Sequence, residues 1–147
     1  MTLKIGSGLA SFSKPIDRHM PGGYRDEIPF EEKLRRAKKV EGLDGIALHY
    51  PLDFEDPIEI RELLDGYGVT LCVLTMGIWG ERHWKMGSFS STDASIRRRA
   101  VERGRRSLDV AAALGVDEVL LWPGEDGFEY PFQADYGRAW GYLVEGI

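Results

Sequence analysis

A chain of 147 residues, 43% hydrophobic and 29% charged, has the balance of one folded domain and not of a disordered segment. Its 19 Lys plus Arg against 24 Asp plus Glu leave a formal net charge of −5, which argues against a surface that gathers nucleic acid by general electrostatic attraction. No apolar run approaches the roughly 20 residues of a membrane span, residues 1–8 lack the basic and apolar regions of a secretory leader, and the one cysteine, Cys72, cannot form an internal disulfide, so the expectation is a cytoplasmic protein with no membrane and no nucleic-acid partner.

Along the chain, short apolar runs alternate with longer helical patterns, the signature of consecutive βα units and a parallel sheet. The first strand is predicted at residues 3–5. Gly6, Gly8 and Ser11 follow it in near imitation of a dinucleotide-binding fingerprint, but Lys14-Pro15 and Pro21-Gly22-Gly23 impose a loop where that fingerprint needs a helix. A helix is predicted at 30–40, opened by Pro29, and a strand at 45–49. That strand ends in His49, where a ribose-binding acid would stand in a dinucleotide site. A helix at 58–64 has Pro57 in its first turn, and a strand is predicted at 70–75. The longest helix, 95–114, starts at an N-cap Thr92 or Asp93 and stops at Gly115. Along it Ile96, Ala100, Gly104, Leu108 and Ala111 form an apolar stripe, and Arg97, Arg98, Arg99, Arg103, Arg105 and Arg106 are expected to snorkel over the outer face. A strand at 118–122 and a helix at 135–147 complete the pattern.

A full (β/α)8 barrel takes about 250 residues, so this length covers about four and a half units. The expected fold is therefore α/β, a partial (β/α)8 TIM barrel of about four βα units with parallel strands, forming one domain over residues 1–147. Four such strands alone leave open edges and an open face. The expectation is an N-terminal half that is completed by more chain, by homo-oligomerisation or by a complementary half-barrel.

Ligands of parallel α/β sheets gather outside the carboxyl ends of the strands. The residues there are Ser11 and Phe12; His49, Tyr50 and Asp53; Thr75, Met76, Trp79 and His83; and Trp122, Glu125 and Asp126. A proton-transfer group, carboxylates and flat apolar rings together suit a polyhydroxylated ligand whose C–H faces stack on aromatics. Packing alternatives stay open at this point. His49 reads also as a hydrogen-bonded histidine at a strand end, Trp79 and Trp84 as plugs of a glycine-rich loop, and Trp122 as part of the core. Cys72 reads as a small buried hydrophobe. His19, His49 and His83 lack zinc-ligand spacing, and no metal ligand is expected in the chain.

The segment 86–127 carries a resemblance. Gly87-Ser88-Phe89 leads into the Arg-rich helix, then Leu108-Asp109-Val110-Ala111 to Leu114-Gly115, then Leu121-Trp122-Pro123-Gly124-Glu125-Asp126-Gly127. It resembles the xylose isomerase-like TIM barrels, which include sugar isomerases, epimerases and apurinic endonucleases. Xylose isomerases have a similar helix and a strand ending in Trp-Gly-Gly-Arg-Glu-Gly, so Trp122 looks like their substrate-stacking tryptophan. Residues 42–49 are similar to the family's Gly-x-x-Gly-x-x-x-His segment, whose histidine is oriented by an aspartate. Here the aspartate, Asp53, stands one position further on, with Pro51 between, and Pro123-Gly124-Glu125-Asp126 replaces Gly-Gly-Arg-Glu.

The resemblance implies a metal-dependent sugar isomerase working by aldose–ketose interconversion, or an epimerase, of which this chain is the N-terminal half. His49 would assist ring opening with Asp53 fixing its tautomer, and Trp122, Trp79, Phe12, His83 and Glu125 would bind the sugar. It also implies divalent cations, Mg²⁺, Mn²⁺ or Co²⁺, held by Glu, Asp and His of later strands outside this chain. The apurinic endonucleases place metal-binding His and Glu at positions corresponding to Thr75 and Trp122, which favours sugar chemistry here. Two alternatives stand beside this reading: a non-catalytic sugar-binding or self-associating half-barrel module, and a flavodoxin-like domain, against which the lack of a phosphate-binding loop counts.

Overall fold

The computed structural model describes residues 3–15, 19–20, 22–128, 130 and 132–147. Pro21 lies outside them. Each long crossover returns the chain in the same direction, so the strands β1 (Gly6–Gly8), β2 (Gly45–Tyr50), β3 (Leu71–Met76) and β4 (Val119–Leu120) pair in parallel in the order β1-β2-β3-β4. The register sets Gly6 beside Gly45, His49 beside Thr75, and Thr75 beside Leu120, which aligns the carboxyl ends of β2, β3 and β4. Helices α1 (Phe30–Lys38), α2 (Pro57–Tyr67) and α3 (Ala94–Leu114) follow β1, β2 and β3, and α4 (Tyr136–Gly146) follows β4. None of the described helices is long and apolar enough to cross a membrane.

Local chemistry sets the ends of these elements. The Asp56 carboxylate accepts from the N–H of Ile58 at 2.7 Å and caps α2, with Pro57 in the first turn. Asp93 caps α3 through Ser95 N–H at 2.7 Å, and Gly115 ends it with a φ of 68° that only glycine adopts readily.

The first strand differs from the 3–5 expectation. Leu3 and Ile5 are exposed, and the Ile5 N–H goes to the Asp44 carboxylate at 2.7 Å instead of a strand carbonyl. Pairing begins at Gly6 because β2 and β3 come close there: a Cβ on Gly6 would sit 2.7 Å from Cys72 Sγ. The last strand is two residues long, not five, since it pairs on one side only and Pro123 soon removes a donor.

The helix-facing side of the sheet makes the core. Ile46 and Leu48 of β2 pack on Leu34 and Ala37 of α1 and on Ile60 and Leu64 of α2. Leu74 packs with Val110 and Ala111 of α3, and Met76 with Ala100, Trp84 and Phe89. Each fully buried aliphatic side chain is worth about 1.5–3 kcal/mol. On α3 the buried stripe is Ala100, Gly104, Ser107 and Ala111, with Val110 beside it, and Leu108 is 57% exposed. Repeated steps of four drift off the face of a 3.6-residue helix, and the observed 4, 3, 4 spacing corrects that drift. The opposite side of the sheet is an open trough of about 620 Å³ lined by small side chains, including Gly6, Gly8, Gly45 and Ala47. Cys72 lines this trough half-buried, and its thiol donates to the Ile46 carbonyl at 3.0 Å, so it is not the fully enclosed residue expected.

Candidate functional site

At the end of β2 the chain turns through residues 50–53, with a cis Tyr50–Pro51 bond, and the Asp53 N–H donates to the His49 carbonyl at 2.8 Å. That turn brings the Asp53 carboxylate back onto His49 despite the extra residue. Its Oδ2 accepts from the His49 backbone N–H at 2.7 Å and lies 3.0 Å from Nδ1 of the same ring. An ionised carboxylate only accepts, so Nδ1 carries the proton and Nε2 keeps its lone pair in the neutral ring. Both side chains are partly buried.

Beyond β3, Gly77 continues the ladder by donating to the Tyr50 carbonyl at 2.8 Å, and a Cβ there would meet that oxygen at 2.7 Å. Two residues later the Trp79 ring stands edge-on to His49, centroids 5.4 Å apart. Trp79 is also edge-on to Trp122, at 5.6 Å. His49, Trp79 and Trp122 thus form one contiguous cluster at the carboxyl ends of β2, β3 and β4. Trp122 is 52% exposed and folds back over the backbone of Gly124, whose Cβ, if present, would lie 2.6 Å from the indole. The three rings lie side by side at the carboxyl ends of the strands, in contact from His49 through Trp79 to Trp122.

Glu125 reaches the same cluster through the backbone: its Oε1 accepts from the Gly80 N–H at 3.0 Å. Asp126 closes the neighbouring turns, taking bonds from the Ser88 N–H and hydroxyl at 2.6 and 2.5 Å and from the Ser90 N–H at 2.8 Å. His83 lies in the short turn Arg82–Trp84, its ring 4.1 Å from that of Trp84. The Nε2 of His83 and the Nε1 of Trp79 are buried with no hydrogen-bond partner among the described residues. Phe12 stands apart from the rings: it packs against the core cluster of Leu9, Leu34 and Ile46.

Sequence reasoning missed the group that holds the loop after β3. Arg103 donates to the Gly77 carbonyl at 2.6 Å and to Glu81 Oε2 at 3.0 Å, and the same oxygen accepts from Trp84 Nε1 at 3.0 Å. Burial raises the Glu81 pKa, but the Trp84 hydrogen bond and the Arg103 charge outweigh it and hold the carboxyl below its ordinary value of 4.5. Arg97 donates to the Ser91 carbonyl at 2.7 Å and covers the Tyr142 ring at 3.8 Å, and Arg106 donates to the Tyr50 hydroxyl at 3.4 Å. All three thus bond back to the fold instead of only covering its outer face, and of them Arg103 reaches inward, its side chain 17% exposed, while Arg106 stays exposed. The signal for Arg103 was its place on the helix, three residues after Ala100 and four before Ser107, on the buried stripe.

Among the described residues no three His, Cys, Asp or Glu side chains come together in a group suited to a metal ion, and His19, His49 and His83 form no such group. The family model of the xylose isomerase-like TIM barrels matches residues 34–147. The chain belongs to that family. Within the xylose isomerase-like TIM barrels, it is 28% identical over 148 aligned positions to the Mesorhizobium japonicum protein named "Probable sugar isomerase mlr5709", covering 97% of this chain and 34% of that one. It is 25% identical to the xylose isomerase of Thermus thermophilus, covering 86% of this chain and 30% of that enzyme. A crystal structure of D-psicose 3-epimerase with D-fructose superposes with a TM-score of 0.65 at 20% identity, over 99% of this chain and 46% of that chain. The chain thus spans about a third of the length of these curated relatives and just under half of a xylose isomerase-like barrel. The relatives are sugar isomerases and epimerases, and the described half carries the four parallel βα units common to the fold.

Proposed function

We propose that this chain supplies the N-terminal half of a sugar isomerase or epimerase barrel and one wall of its sugar pocket. The observation that carries the reading is the contiguous cluster of His49, bonded to Asp53, with Trp79 and Trp122. Indole faces match the apolar C–H faces of a sugar ring, and a neutral imidazole Nε2 can take the proton of an anomeric hydroxyl as the ring opens. Asp53 holds the tautomer that leaves Nε2 free and stabilises the imidazolium once the proton has moved. The unpartnered Trp79 Nε1 offers a donor, and the second oxygen of Glu125 an acceptor, to sugar hydroxyls. His83, whose Nε2 has no partner among the described residues, takes a supporting place in the pocket once the barrel is closed. A divalent metal, Mg²⁺, Mn²⁺ or Co²⁺, belongs to the complete barrel, with its ligands outside this chain. A second reading, a non-catalytic sugar-binding or self-associating half-barrel, is favoured by the open trough and by the exposed apolar stripe of α4.

Titration of the chain with aldoses and ketoses, followed by tryptophan fluorescence and calorimetry, tests the pocket. Saturable binding that weakens in Trp122→Ala is expected. Binding unchanged by removal of Trp79 or Trp122 would refute the pocket. Isomerase or epimerase turnover that requires a complementary half supplied in trans would separate the enzyme reading from the binding module.

A further inference from the structure

Trp79 is the ring that joins His49 to Trp122, yet its own side chain makes no hydrogen bond among the described residues. Its position is set by the backbone on either side. The Arg103 guanidinium reaches from α3 to the Gly77 carbonyl with Nη1 at 2.6 Å and to Glu81 with Nη2 at 3.0 Å. One planar fork therefore ties both ends of the segment 77–81, whose central residue is Trp79. Trp84, fully buried, braces the far end through its bond to the same Glu81 oxygen, and the guanidinium lies 5.8 Å from the Trp84 ring centroid. A third tie, from Gly80 N–H to Glu125, couples the segment to the turn that carries Trp122. The Arg103 side chain is only 17% exposed and Gly77 is buried, so the bond to the Gly77 carbonyl is the better shielded of the two, the Glu81 side chain being 36% exposed. Lysine would keep the charge but lacks the rigid fork that meets two acceptors at once.

We propose that Arg103 is a positioning residue for the sugar site: a latch on the helix side of the sheet that holds Trp79 edge-on between His49 and Trp122. The inference rests on the sugar-pocket reading, and it acts through the segment 77–81 without touching ligand.

The test labels the chain with 5-fluorotryptophan and assigns its four indole resonances by single Trp→Phe variants. Without ligand, Arg103→Lys should shift or broaden the Trp79 and Trp84 signals and leave that of Trp140 in place. Glu81→Gln, which keeps the Gly77 bond, should move Trp79 in the same direction by less, and it serves where the Arg103 variants fail to fold. With sugar, Arg103→Lys should weaken binding roughly 3- to 30-fold in the wild-type background and have no further effect in Trp79→Ala, since coupled residues are not additive. An unmoved Trp79 resonance, or the same loss of affinity with and without Trp79, would overturn the latch. If no sugar binds to any form, the pocket reading falls, and the ligand-free resonances still decide whether Arg103 positions Trp79.

Discussion

A single methyl group at Gly124 has no room beneath the Trp122 indole, where ring carbons lie 2.6 to 2.8 Å from the position of an added Cβ. Gly124→Ala is therefore expected to push the ring off its seat, break the contact with Trp79 and change the near-ultraviolet circular dichroism while the far-ultraviolet spectrum holds. Its loss of sugar affinity should approach that of Trp122→Ala, about 1–3 kcal/mol, the scale of one aromatic platform. His49→Gln keeps the ring's approximate size but has no titratable nitrogen, so in a completed barrel it should lower turnover more than affinity, a difference that steady-state kinetics resolves. His49, Trp79 and Trp122 were legible in the sequence because strand ends can be read from apolar runs, and the ends of neighbouring parallel strands converge. The pairing of His49 with Asp53 was implied by the family resemblance, but how it survives the extra residue was not legible, since that depends on the closure of the 50–53 turn. The placement of Phe12 was hidden for a similar reason: the short helical turn Leu9–Phe12 packs it against the α1 core, away from the rings, and leaves no periodic trace in the sequence.

Helix α3 shows how an element's pattern can be found while its face is misassigned. The apolar residues announced the helix and its caps, but the stripe read in steps of four placed Leu108 inward and treated Arg103 as outer cover. Ala100→Leu, at a fully buried position against Met76 and Phe89, should cost about 1–3 kcal/mol by overpacking. Leu108→Gln should stay within about 0.5 kcal/mol of the parent, and urea denaturation of both variants checks the contrast. The loop that α3 holds carries its own pH dependence. Glu81 has a lowered pKa in the folded chain, so its contribution is complete above the unfolded value of 4.5 and is lost as pH falls through the lower folded value. Acid titration should release the Trp84 indole signal below that pH, and Glu81→Gln should abolish this step. The edge strands were the least legible elements. Leu3 and Ile5 have strand-like composition, but pairing shifted to glycines because only a residue without a side chain fits beside Cys72.

At the scale of the molecule, the sheet has helices on one side and an open trough on the other, with β1 and β4 each paired on one edge only. Length arithmetic and the βα order anticipated this half-barrel, although the small residues that floor the trough became meaningful only once the register was known. Helix α4, packed beside α3, adds a second exposed apolar surface. Leu143 and Gly146 meet the Phe89 cluster and Tyr142 stacks on Arg97, while Tyr136, Trp140, Val144 and Ile147 form a second stripe, each more than half exposed. Spacings of 4, 4 and 3 put these four side chains on one helical face, an arrangement that in a covered helix would be buried. The isolated chain should therefore self-associate or bind a hydrophobic dye, with sedimentation velocity and dye fluorescence as the measurements. Trp140→Lys together with Val144→Lys should weaken association through α4 while leaving β2, β3 and α3 folded, since neither residue belongs to the three core clusters. Association that survives these changes would place the contact at the trough and the strand edges instead, and a compact monomer that binds no dye would contradict the open half-barrel surface altogether.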